Sequence, residues 1–428
     1  MPASSSRPSQ GHRMAFGYVT TLFFAWGFAT SLIDPLIAAV RRVFDLSYTE
    51  AFLTTSAWFI AYGVASFPAA GLVARLGYSR AILLALATMV TGCLIVPAAT
   101  ALDWYPGILI ALFVIASGVT LLQVAANPLV VALGSRASSH FRLNFSQAFN
   151  ALGTTLGPWL GSHLLLTGGV FAAGATVTVA TRMESLRAID LAFLGLGGVF
   201  ALVAVGLFSA RRTIDAAVPR QVEAVRAPIW SAFRSPWAVF GAVAIFFYVG
   251  AEVAIGSTLT NFLASPETLD IPLEQAGKMV ALYWGGAMVG RFIGSAILTK
   301  TPAALVLAVC TVLAAGLCLV VTQTSGATAG YAALAIGLFN SIMFPTIFTL
   351  TLERARAPAA ATSGLLVFGI IGGAMLPLLA GAVADATAGN LNLAFFVPLA
   401  GYAILAIFAI AAFRTPPTEG VDAVIAGH

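Results

Sequence analysis

Twelve predominantly apolar runs, each about 20 residues or longer, punctuate the 428-residue chain: 14–39, 51–74, 81–100, 105–133, 143–167, 189–209, 236–263, 277–299, 303–323, 328–352, 361–385 and 391–413. A hydrocarbon core about 30 Å thick is crossed by about 20 helical residues, so every run is long enough to span a bilayer. The other spanning form, a closed barrel, needs a period-2 alternation that these runs lack. Charge agrees, because only 9% of residues are Asp, Glu, Lys or Arg, against about 25% in soluble domains. The expected fold is an all-α membrane protein with twelve transmembrane helices.

The polar stretch 1–13 leads directly into a run of about 25 residues, longer than the core of a secretory signal, so no cleaved leader is expected. Cys93, Cys310 and Cys318 all fall inside apolar runs and read as small packing residues rather than a disulfide framework. Basic residues set the orientation. With the N-terminus inside, the inner segments hold 15 of them, and the outer loops hold five: Arg41, Arg42, Arg182, Arg187 and Lys278. Both termini are therefore expected in the cytoplasm. The net charge of +5 is an orientation signal, with no continuous basic patch of the kind that binds nucleic acid.

The longest inner connection, 210–235, carries five Arg together with Pro219 and Pro228 and divides the runs six and six. The expected organisation is a tail at 1–13, an N-terminal six-helix bundle at 14–209, the linker, a C-terminal six-helix bundle at 236–414 and a tail at 415–428. A short interfacial helix is expected near Trp230 and Phe233. The two bundles read as a duplication. The first run contains "FFAWG" (23–27) and the seventh "FFYVG" (246–250). Gly153, Pro158 and Gly161 in the fifth run correspond to Gly372, Pro377 and Gly381 in the eleventh. Pseudo-symmetric halves around a midplane site are the architecture of secondary transporters.

Ionisable residues inside a span cost about 2.5–3.5 kcal/mol each on insertion scales and usually face a cavity or a partner. Asp34 shares a helical face with Gly27, Thr30 and Ser31. Pro35 follows it and frees a carbonyl one turn back, marking a gating position. This carboxylate suits cation coupling, or else solvation near Arg41 and Arg42. Glu252, flanked by Tyr248 and Gly256 one turn either side, suits sugar contact, cation coupling or a structural hydrogen bond. Arg291 in "GRFIGS" suits a structural contact or an inner gate, and Glu353 with Arg354 and Arg356 a cytoplasmic charge network.

Neutral amides form stripes. Thr120, Gln123 and Asn127 share a face of the fourth run, Asn144, Gln147, Asn150 and Thr154 one of the fifth, and Asn340 lies in the tenth. Interhelical hydrogen bonds in membranes average only about 0.6 kcal/mol, so bundle stability alone is a weak reason for such stripes. An amide both donates and accepts, which suits a ligand dense in hydroxyls. Trp26, Trp58, Tyr283 and Trp284 offer rings for the apolar face of a pyranose. The substrate-binding candidates are Thr30, Gln123, Asn127, Gln147, Asn150, Glu252, Tyr283, Trp284 and Asn340.

"LLQVAANPLV" (121–130) and "SHFRLNFSQAFNALGTTLGP" (139–158) closely resemble the fourth and fifth helices of the fucose–galactose–glucose:proton symporter family of the major facilitator superfamily. "FFAWGFATSLIDPLIAAVRRVFDLS", "YVGAEVAIGS" and "GRFIGS" extend the resemblance over nearly the whole chain. It implies two six-helix bundles, alternating access and cation-driven sugar import across a bacterial inner membrane. Asp34 matches the family's proton-coupling carboxylate, and Gln147 and Asn150 match sugar-site positions. At Gln123 the fucose permeases carry a glutamate, and the amide looks more like the glucose/galactose branch. The loop "GLVARLGYSR" (71–80) lacks the acidic residue usual in the superfamily.

The expected activity is monosaccharide import by symport, with a proton as the coupling ion and sodium as the rival, and with no cofactor. The partners are the sugar and the bilayer, and the chain reads as a monomer. Export of a lipophilic compound is a second reading, although its cavity would need fewer amides. An enzyme is disfavoured, because the four His are scattered and form no HExxH.

Overall fold

The computed structural model describes residues 10–31, 36, 39, 40, 43–45, 48–165, 169–171, 176, 178–217 and 229–417. Asp34, Pro35, Arg41 and Arg42 lie outside these residues. The elements are all helical. The first half contains α1 (Gln10–Ser31), α2 (Tyr48–Leu76), α3 (Tyr78–Ala101), α4 (Tyr105–Ala132), α5 (Ser139–Leu165) and α6 (Val179–Ala217). The second contains α7 (Pro236–Ala264), α8 (Leu273–Ile297) and α9 (Ala303–Gln323). It continues with α10 in two pieces (Gly326–Asn340 and Met343–Arg354), α11 in two pieces (Ala359–Phe368 and Gly372–Ala386), and α12 (Phe396–Arg414). Among the described residues, ten of these rods are long and apolar enough to cross a membrane.

Helices outrun the apolar segments that announce them. α6 begins ten residues before its run and ends at Ala217, so the first part of the expected linker is helical. Polar flanks continue a helix readily, because its backbone bonds are internal whether the side chains meet lipid or water. The interfacial helix forms at Ile229–Arg234. Its Trp230 and Phe233 pack on Phe67 of α2, with ring centroids 4.9 and 5.7 Å apart, and Phe67 also meets Phe368 of α11 at 5.3 Å.

The same neighbours recur in both halves. α1 packs on α5 as α7 packs on α11, α3 on α4 as α9 on α10, and α3 on α6 as α9 on α12. The glycines of the repeated motifs explain the first pair. A Cβ on Gly27 would lie 2.1 Å from the carbonyl oxygen of Asn150, and one on Gly153 would lie 2.4 Å from that of Phe24. In the second half a Cβ on Gly372 would lie 2.0 Å from the carbonyl oxygen of Phe246, and one on Gly250 would lie 2.6 Å from the Leu376 side chain. Without an apolar driving force in lipid, close backbone approach is a main source of helix attraction, and only glycine permits it here.

Contact between the halves pairs α2 with α11 and α5 with α8, again in pseudo-symmetric fashion. It is concentrated toward the end from which the linker emerges. Gly63 meets Ile371, Gly364 meets Ala70, and Phe145 and Phe149 meet Phe292 edge-on. The polar groups at mid-depth are thus closed off from the linker end. Cys93, Cys310 and Cys318 are free thiols inside the helices, and Cys93 packs against Gly197.

Candidate functional site

α4 carries its amides into the interior. Gln123 and Asn127 are 2% and 0% exposed. Pro128 follows within the helix and withholds one backbone donor. The helix ends soon afterwards, and Arg142 of α5 satisfies two of its last carbonyls, donating through Nε to Val130 O (3.0 Å) and through Nη2 to Val131 O, and holds the following loop through Nη1 to Ser135 O (2.9 Å). This ties the two amide-bearing helices together. Gln147 Nε2 then donates to Asn127 Oδ1 at 3.3 Å, and Gln123 Nε2 donates to the Tyr62 hydroxyl of α2 at 2.9 Å. Among the described residues Asn127 Nδ2 has no partner, and an unpaired buried donor is costly enough to call for an acceptor.

The α5 stripe divides by role. Asn150 Nδ2 donates to Phe23 O of α1 (3.1 Å), beside the Gly27 contact. Asn144 Nδ2 donates to His140 O (2.9 Å) and reaches Thr346 of α10 (3.4 Å). These two hold helices, whereas Gln123, Asn127 and Gln147 gather into one polar wall. Thr30, half-buried on α1, donates to Gly27 O at 2.9 Å.

The second half contributes a tyrosine cage. Asn340 Nδ2 donates to the Tyr283 hydroxyl (2.7 Å), the Tyr402 hydroxyl donates to Asn340 Oδ1 (2.7 Å), and the Tyr283 hydroxyl donates to Glu252 O (3.2 Å). The Tyr248 hydroxyl donates to Glu252 Oε1 at 2.7 Å and lies 3.1 Å from Asn340 O. Asn340 is the last residue of the first α10 piece, so this cage steadies the break at Ser341–Ile342. Asn340 and Tyr283 are both 0% exposed and engaged with protein partners. In this conformation they stand behind the wall rather than at it. Trp284 is 41% exposed, with its ring over Gly256 of α7. One turn further on, Met288 meets Thr155 of α5, so Trp284 lies on the helix face that looks between the halves.

Arg291 bridges the halves. Its Nε donates to Ser341 O at the α10 break (2.9 Å), and its Nη1 donates to Gln147 O across the interface (3.2 Å). Nearer the linker end, His140 Nε2 lies 3.1 Å from Glu353 Oε1, and His140 Nδ1 contacts the Thr349 hydroxyl. Ser139 also donates to Glu353 Oε1 (3.3 Å). Arg354 contacts Glu353 Oε2 (3.3 Å) and caps α12 through Ala412 O (2.8 Å) and Thr415 O (3.0 Å). Neither His140 nor Tyr62 carries a motif of its own in the sequence. The structure sets His140 in the first turn of α5, where it continues the stripe of Asn144 and Gln147 at helical spacing, a signal already present in the sequence.

Two six-helix halves, closed at one end around buried amides, define a transporter. Residues 19–369 match the Major Facilitator Superfamily, and the chain belongs to that superfamily. It is 40% identical over 407 residues to a glucose/galactose transporter of Brucella abortus biovar 1 (strain 9-941), covering 95% of each chain. It is 31% identical over 421 residues to the L-fucose-proton symporter of Escherichia coli (strain K12), covering 94% of this chain and 93% of that one. A crystal structure of the superfamily transporter FucP in the outward conformation superimposes with a TM-score of 0.83 at 26% identity, covering 95% of this chain and 100% of that one.

Proposed function

We propose that this protein imports a neutral monosaccharide of the glucose or galactose type by proton symport, through alternating access. The observation that carries the reading is the buried wall of Gln123, Asn127 and Gln147 inside a major facilitator fold. It offers several neutral donors and acceptors at mid-depth, which a hydroxyl-rich, uncharged ligand can match. The relatives named for glucose, galactose and fucose transport support the substrate class, and those named as fucose-proton symporters support the proton. Thr30, Glu252 and Trp284 complete the proposed sugar surface, and Asn150, which ties α5 to α1 in this conformation, borders it. Asn340 and Tyr283 support it from behind until the halves rearrange.

In this reading twelve helices cross a bacterial inner membrane, both termini face the cytoplasm, and one chain suffices. The linker end is then the cytoplasmic end, and closure there leaves the sugar site accessible from outside. Asp34 is the proposed coupling carboxylate, with Glu252 as a second, and Pro35 and Arg291 act in gating. Sodium coupling is the alternative.

Two variants test the division of labour. Gln123→Ala is expected to weaken sugar binding while uptake keeps its ion dependence. Asp34→Asn is expected to abolish accumulation while sugar still binds and exchanges. The reverse pattern, with ion dependence lost in the Gln123 variant and kept in the Asp34 variant, would overturn the assignment.

A further inference from the structure

The hydrogen bonds around Gln123 have a direction. Its Nε2 donates to the Tyr62 hydroxyl at 2.9 Å. The Tyr62 oxygen is therefore an acceptor here. Among the described residues its own proton has no acceptor. Tyr62 is 4% exposed, so bulk water does not substitute for one. Next to it on the wall, Asn127 Nδ2 is a second buried donor without a partner among the described residues. Gln123 and Gln147 direct their amide nitrogens at Tyr62 and Asn127, and their carbonyl oxygens receive no described donor. The wall thus presents two unfilled donors and two unfilled acceptors.

Building on the monosaccharide reading, we propose that Tyr62 is a substrate-binding and specificity-determining residue, whose hydroxyl proton, oriented by Gln123, donates to one hydroxyl of the sugar. A sugar hydroxyl both donates and accepts, so it can take the Tyr62 proton and return its own to the Gln123 oxygen. The neighbouring hydroxyl can pair in the same way with Asn127 and Gln147. A neutral vicinal diol satisfies all four groups. A carboxylate group in place of the diol has no proton for either glutamine oxygen, and a single hydroxyl fills half of the set. The identity of residue 123 then acts through Tyr62. A glutamate in that position has no amide hydrogen to give, so Tyr62 would donate to the carboxylate and its proton would be withdrawn from the substrate.

The test is equilibrium binding of glucose and its 2-, 3-, 4- and 6-deoxy analogues to purified wild-type protein, Tyr62→Phe and Gln123→Glu, with melting curves to verify folding. Wild type should bind one deoxy analogue at least about tenfold more weakly than glucose for each hydroxyl the wall reads. Tyr62→Phe should bind glucose about tenfold more weakly, and for one position only the deoxy penalty should shrink to about twofold or less. Gln123→Glu should remove the penalty at that same position. It provides the reading if Tyr62→Phe fails to fold. A purely structural role would weaken every analogue alike, and that outcome, or an unchanged deoxy profile in the variants, overturns the proposal. A wild-type protein that binds no neutral hexose would instead refute the transport reading on which the proposal rests.

Discussion

Arg291→Gln should loosen the linker-end closure by a calculable amount. In the structure Arg291 donates to Ser341 O at the α10 break and to Gln147 O on the opposite half. Only the second bond resists separation of the halves. A hydrogen bond to a charged group contributes about 1.5–3 kcal/mol, and the half-buried setting of Arg291 favours the lower figure. At 1.4 kcal/mol per tenfold, the equilibrium should move about tenfold toward separation. An opened state held at about 1% would rise to about 10%. Arg291→Lys should fall between the two, because a single ammonium cannot reproduce the guanidinium's fork to two carbonyls. Spin labels on Arg80→Cys and Lys300→Cys, both exposed positions at the linker ends of opposite halves, report the separation by double electron–electron resonance. Cys93, Cys310 and Cys318 are replaced beforehand. A longer-distance population should appear in Arg291→Gln and be weak in the parent. Identical distance distributions would refute the bridging role.

Further outcomes follow from particular contacts. Asn340→Ala removes a partner of both Tyr283 and Tyr402; Tyr283 keeps its bond to Glu252 O, whereas the buried Tyr402 hydroxyl loses its acceptor at a cost of about 1–3 kcal/mol. The melting temperature should drop, and Asn340→Asp should restore only the Tyr402 bond. Gly153→Leu places side-chain atoms where a Cβ alone would lie 2.4 Å from Phe24 O, so little folded protein should be recovered, whereas Gly195→Ala, with open space around it, should be neutral. The Arg182 guanidinium holds the Asp103 carboxyl below the usual carboxylate range. Its folded pKa is the lower one, so the pair's stabilisation is present above the unfolded value near 3.9 and is lost as pH falls through the folded value. Asp103→Asn should therefore lower the melting temperature slightly at pH 7 and not at all in strong acid, with less than about 1 kcal/mol at stake for so exposed a pair.

The helices were legible because lipid admits only helices and closed barrels and the runs lack a barrel strand's alternation, and the duplication because the matching glycines sit where both halves bring backbones together. "FFAWG" and "FFYVG" are weak as text and strong as geometry: Gly27 and Gly250 each mark a close approach between matching helices. The amide stripes were legible in position but not in role. Spacing alone places Asn144, Gln147 and Asn150 on one face, and it cannot distinguish an amide bonded to a neighbouring helix from one bonded to another amide. Asn340 and Tyr283 read as sugar contacts from sequence, and in the structure their side chains bond each other, with Tyr402 on the Asn340 oxygen, while Tyr248 and Arg291 hold the carbonyls at the α10 break. His140 and Tyr62 escaped for a related reason. Their partners Glu353 and Gln123 lie 213 and 61 residues away, and a lone His or Tyr in an apolar chain carries no local mark of such a bond.

The most direct test of the central claim is uptake of radiolabelled glucose into proteoliposomes holding the purified protein, with a pH gradient, acidic outside, imposed in sodium-free buffer. Accumulation above the external concentration, collapsed by a protonophore and absent in Asp34→Asn, is the predicted result. Accumulation that requires sodium and ignores the pH gradient would contradict proton coupling. No uptake or exchange of glucose, galactose or any other hexose would contradict sugar transport itself.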